Sequence, residues 1–77
     1  MNDAATRCLY IVGDQIRQRA RTALEAARGD TPTEAEKARA FAFLEVIGLL
    51  LHEGREHGLS PADLGLGGFN PDLDLPG

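Results

Sequence analysis

Apolar residues recur at intervals of three and four through the first third of the chain. Ala5, Leu9, Val12, Ile16, Ala20, Ala23 and Ala27 follow the repeat that stacks side chains on one face of an α-helix. From Ala4 to Arg28 there is no proline and one glycine, Gly13, in a background of Ala, Leu and Arg, all strong helix formers. The pattern predicts a helix over about 4–28. Its apolar stripe is bulky from Cys8 to Ile16 and mostly alanine afterwards, so its second half admits a close neighbour but buries little area itself. The run CLYIV also suits a strand, but no other segment offers it a partner.

Gly29-Asp30 ends this pattern, and Thr31-Pro32-Thr33-Glu34 opens the next. Thr31 suits the N-cap, Pro32 the first helical position and Glu34 the third, where its carboxylate can reach back to the cap amide. A second helix is predicted over about 32–57, with Gly58 available to close it in a left-handed conformation. At about 1.5 Å per residue the two helices have similar lengths, and the short connection makes them an antiparallel hairpin.

The second helix contains FAFLEVIGLLL, residues 41–51, nine of whose eleven residues are apolar. A bilayer span needs about 20 such residues, so the run is too short to cross a membrane. On a helical wheel Phe43, Leu44, Val46, Ile47, Leu50 and Leu51 share one broad sector, with Phe41 and Leu49 outside it. Glu34, Lys37, Glu45, His52, Arg55 and Glu56 gather roughly opposite. One alanine-rich partner helix cannot cover so wide a sector, and each large apolar side chain left in water forgoes about 1.5–3 kcal/mol. A second copy would cover it, giving a homodimeric four-helix bundle of two hairpins. The rival is a monomer in which residues 59–77 fold back as a lid.

That C-terminal part begins with Ser60-Pro61-Ala62-Asp63, another cap followed by proline, which predicts one helical turn at about 61–64 bearing Leu59 and Leu64. Gly65 to Gly77 follows, with four Gly, two Pro and the spaced apolar residues Leu66, Phe69, Leu73 and Leu75. Its composition predicts an irregular tail able to clip onto a groove in extended form, Gly65, Gly67 and Gly68 supplying flexibility. The expected architecture is therefore all-α: a hairpin domain over 1–58, then a short turn and a flexible or extended tail over 59–77.

A chain of 77 residues buries only about 60% of its unfolded surface, so its stability margin is narrow. The single cysteine, Cys8, excludes an internal disulfide, and with no export-like N-terminus a cytoplasmic setting is the default expectation. Net charge is −4, which disfavours general nucleic-acid binding. The charge is uneven. Residues 1–28 carry five Arg against Asp3, Asp14 and Glu25, giving +2, and residues 29–77 carry three basic against nine acidic groups, giving −6.

The segment HEGREH, His52 to His57, is the one place that resembles metal chemistry in its composition. Zincin histidines stand four apart on one helix face, whereas these stand five apart and turn to different sides. His52, Glu53, Glu56 and His57 are expected to form a solvated last turn, and no metal or cofactor is assigned. Glu45 falls with the charged residues and is expected at the rim. Cys8 has no adjacent base and is expected to behave as a small hydrophobe. Arg17, Arg19 and Arg21 spread around the helix and lack interleaved aromatics for stacking bases.

No catalytic constellation emerges. The function expected is a non-enzymatic interaction module, an adaptor, inhibitor or regulatory subunit that binds itself and another protein. The surface expected to act comprises Phe41, Phe43, Leu44, Ile47, Leu50, Leu51 and Phe69. The alternative is a DNA-associated regulator using the Arg17, Arg19 and Arg21 cluster on a helical dimer.

Overall fold

The computed structural model describes residues 3–68, and within them the chain forms α1 (Asp3–Ala27), α2 (Glu34–Glu56) and a single 3-10 turn (Ala62–Leu64). The two long helices pack as an antiparallel hairpin, and the turn docks against both. Phe69 and the rest of the tail lie outside the described residues.

α2 begins two residues later than expected. Thr33, not Thr31, is the N-cap: its Oγ1 accepts from the Glu36 amide at 3.0 Å, and its own amide donates to Glu36 Oε1 at 2.8 Å. The sequence TPTEAE offers two overlapping capping boxes. The later one wins because it keeps β-branched Thr33 out of the helix and places Glu34 and Glu36 in the first turn, where the helix dipole favours them. Thr33→Ala should cost about 1 kcal/mol, seen as a fall in melting temperature by circular dichroism. Thr31→Ala should leave the melting temperature unchanged.

Two identical devices stop the chain at the other end. Gly58, at φ +75°, lets its amide reach Arg55 O and the Leu59 amide reach Gly54 O, which satisfies two carbonyls of the last turn of α2. Seven residues on, Gly65 at φ +72° repeats the pattern, with its amide on Ala62 O and the Leu66 amide on Pro61 O. The leucine after each glycine is thereby turned toward the core. Between the stops, Ser60 and Asp63 cap each other reciprocally at 2.8 and 3.2 Å. The turn thus matches its sequence signal, but Gly65 is a fixed closure here, not the source of flexibility expected.

The core has two parts. Near the connection between the helices, Ala23, Leu24 and Ala40 are buried, with Ala27, Phe43 and Leu44 against them. Toward the other end, Ala20, Ile47, Leu64 and Leu66 are buried, flanked by Leu9, Ile16, Phe43, Leu50, Leu51 and Leu59. The turn and the hairpin share this second cluster. Part of the sector expected to need a second copy is accordingly covered from within: Leu64 and Leu66 pack with Ile47, which is 1% exposed.

Glycines make that closure possible. A Cβ on Gly13 would collide with the Leu64 carbonyl, and one on Gly54 would lie 2.6 Å from Leu64 Cδ1. Gly65 in turn rests on the backbone of α1 at Tyr10 and Asp14. One glycine from each helix therefore forms a notch that seats the turn. Docking on this side also rotates the buried stripe of α1. Gly13 and Leu24 are inside, while Ala5 and Val12, both assigned to the stripe from spacing, are exposed.

Candidate interaction surface

The flank of α1 that meets the turn is a heptad stripe. Tyr10, Asp14, Arg17, Arg21, Leu24 and Arg28 recur at four and three, which places them along one side of the helix. Tyr10, Asp14 and Arg17 face Ala62, Gly65, Gly67 and Gly68 across a groove of about 310 Å³. Arg17 Nη2 donates to Asp14 Oδ1 at 2.7 Å and Gln18 Nε2 to Asp14 Oδ2 at 2.8 Å. The Arg17 hydrogen bond is the chief cause holding the Asp14 carboxyl below its ordinary range. For Asp63 the same direction follows first from the Ser60 amide.

The corresponding flank of α2 is Lys37, Phe41, Leu44, Gly48 and Leu51, again at four and three. Leu44 packs in the same cluster as Leu24, and Leu51 in the same cluster as Leu64 and Leu66.

The opposite edge of the hairpin has no such cover among the described residues. Val12 lies two residues, about 160° around the helix, from Tyr10, and Val46 stands in the same relation to Gly48. Val12 is 46%, Val46 42% and Leu49 62% exposed. Half-buried Ile16, Phe43 and Leu50 lie inward of them, and the Arg39 guanidinium sits over the Phe43 ring at 5.2 Å from its centroid. A second heptad run on α2, Arg39, Ala42, Val46, Leu49 and Glu53, follows this edge. Such an arrangement can bury apolar area against a protein surface.

Of the seven residues expected to act, Phe41 is 60% exposed and Phe69 lies outside the described residues. Ile47 is turned into the chain's own core, a correction caused by the docked turn, and Phe43, Leu44, Leu50 and Leu51 pack partly buried against that core. Val46, assigned to the core sector from the wheel, belongs to the open edge instead, as does Val12. Spacing marks both as apolar but cannot say which margin of a broad stripe its neighbours will cover.

The remaining candidates occupy ordinary surroundings. His52, Glu53, Glu56 and His57 are exposed, and the ring Nδ1 of His57 lies 2.8 Å from Glu53 O. No group of three or more His, Cys, Asp or Glu is gathered among the described residues. Glu45 and Cys8 are exposed. Arg19 and Arg21 are exposed but on different sides of α1, and Arg17 is held by Asp14. The ion pairs Arg17–Asp14 and Lys37–Glu34, and the contact between His57 and Glu53, each join residues three or four apart in sequence, so none of the three joins the basic part of the chain to the acidic part. Among the described residues no helix is long and apolar enough to cross a membrane.

Compared with known proteins, the chain matches no protein family, no curated protein and no solved structure.

Proposed function

We propose that this chain is a non-enzymatic interaction module that works through the open edge of its hairpin, with a second copy as the first partner. The observation that carries the reading is the exposure of Val12, Val46 and Leu49 along the edge away from the docked turn, continuous with half-buried Ile16, Phe43 and Leu50. Two such edges packed face to face make a four-helix bundle, and a two-fold arrangement uses the same residues from both copies. Charge placement supports antiparallel pairing of the two α2 helices. Arg39 lies toward the N-terminal end of the edge and Glu53 toward the C-terminal end, so a dyad near Val46 opposes the unlike charges.

Changing Val46 and Leu49 together to Glu tests the reading, because both are exposed and their replacement leaves the chain's own core intact. Sedimentation across a micromolar concentration series should show a dimer for the native protein and a monomer for the variant, with helix content retained. A native protein that stays monomeric throughout removes the second copy as partner. If the two charges also leave capture of proteins from the native cell extract unchanged, the surface reading falls with it.

A further inference from the structure

Residues Cys8 to Val12 are apolar without a break, so their side chains point in every direction around α1. Leu9 packs on the core, and Ile11, two residues on, stands about 160° around the helix from it, on the side turned away from α2. There half-exposed Tyr10 and Ile11 open a depression of about 430 Å³ whose other walls are Asp14, Gln15, Gln18 and Arg19. α2 presents an outward face of its own. Glu45 and Leu49 each lie two residues from buried Ile47, and Phe41, four residues before Glu45, shares their side. Phe41 and Leu49 are the most exposed large apolar side chains among the described residues.

The two outward faces carry opposite charge. Arg7 and Arg19 flank Ile11 on α1, about 18 Å apart along the axis, and Glu45 and Glu56 bracket Leu49 on α2, about 17 Å apart. All four are exposed, and none has a partner among the described residues. Asp14, the one acid in the depression, is already held by Arg17 and Gln18. With the two faces laid antiparallel, Arg19 meets Glu45 while Arg7 meets Glu56. Gln15 and Leu49, each four residues inward from the first pair, then come together, which carries Leu49 into the depression. α1 and α2 already run in opposite directions within the hairpin, so a copy displaced sideways without turning reaches this arrangement.

We propose that copies of this chain also associate head to tail, the outward face of α2 of one copy lying on the outward face of α1 of the next, with Leu49 beside Ile11 in the depression and Arg19 and Arg7 against Glu45 and Glu56. The faces that meet are unlike and point to opposite sides of the hairpin, so the contact repeats as an open series instead of closing as a pair. One helix on one helix covers less than the roughly 1,200 Å² of a stable complex, so the association is weak and sets in at concentrations above those of the edge dimer. The two contacts are separable. Val12 and Val46 belong to the edge alone and Ile11, Arg19 and Glu45 to the outward faces alone, while Leu49 borders both.

Sedimentation of the full chain at low salt, carried from micromolar to millimolar concentration, tests the proposal. The mean mass should keep rising with concentration and fall back when salt screens the charge pairs. Arg19→Glu or Glu45→Arg alone, both at exposed positions, should stop the rise with helix content retained, and the two together should restore it by exchanging the pair. Val46→Glu, which disrupts only the edge, should still give species larger than a pair. A mass independent of concentration above the dimer would overturn the proposal, as would a rise untouched by either single charge reversal or unrestored by the double one. A Val46→Glu protein that stops at a pair would overturn it as well, since that contact closes on itself. Loss of the edge dimer alone leaves the head-to-tail contact standing, and the reverse holds too.

Discussion

Replacing Gly13 by alanine should lower stability by about 2 kcal/mol, although alanine is the better helix former. The added methyl group has no free volume: it would collide with the Leu64 carbonyl and lie 2.8 Å from the carbonyl carbon. Those are backbone atoms and cannot rotate aside, so either α1 shifts or the turn lifts and exposes Leu64 and Leu66. The intrinsic gain of about 1 kcal/mol for Gly→Ala in a helix opposes this but is smaller than the overpacking cost. In a domain of this size the expected fall in melting temperature is about 8–16 °C. Gly48→Ala supplies the control, because a Cβ there meets nothing within 4 Å. It should raise stability by about 1 kcal/mol. Thermal unfolding followed at 222 nm, the helix signal, checks both, and a Gly13→Ala protein as stable as the native one would refute the notch.

Leu66→Ala is the second large effect. Leu66 is 1% exposed, on irregular backbone, so truncation removes packing without altering helix propensity. Cutting a buried leucine to alanine costs about 2–5 kcal/mol, against a total stability of about 5–15 kcal/mol for natural domains. Urea unfolding should show the loss as a lower midpoint. Leu49→Ala, at 62% exposure in the single chain, should stay within about 0.5 kcal/mol of the native protein at concentrations below the dimer transition. If the two substitutions cost the same, the turn is not the lid that the buried leucines imply.

Much of this fold was legible in the residues. Both helices, their antiparallel connection, the closing role of Gly58 and the turn begun by Ser60-Pro61 follow from periodicity and capping, which are local signals. The cap of α2 was misplaced by two residues because TPTEAE spells the same box twice, and only the cost of placing Thr33 inside the helix separates the two. The notch was missed for a different reason. Gly13 and Gly54 lie far apart in sequence, and neither alone says that a third segment will press against it. A signal was nevertheless present, since a glycine inside a helix costs about 1 kcal/mol relative to alanine and calls for a compensating close approach.

The same gap explains the candidate surface. Phe41 and Leu49 fell outside the apolar sector and are exposed, as the wheel required. Val12 and Val46 fell inside their sectors and are exposed too, because among the described residues the turn draws cover to one margin of the hairpin and not to the other. A wheel describes one helix at a time. Which margin is sheltered depends on where a distant segment lands.

The two leucines of the lid are set by counting as much as by shape. Gly58 and Gly65 each reverse the backbone at a fixed point, and the six residues between them are tied end to end by the Ser60–Asp63 pair and by the amides that close on Pro61 and Ala62. That linker works as a ruler with no slack. Adding or deleting one residue within it would carry Leu64 out of register with the glycines that receive it, so its length is constrained as tightly as any buried side chain, even though most of its own surface faces water.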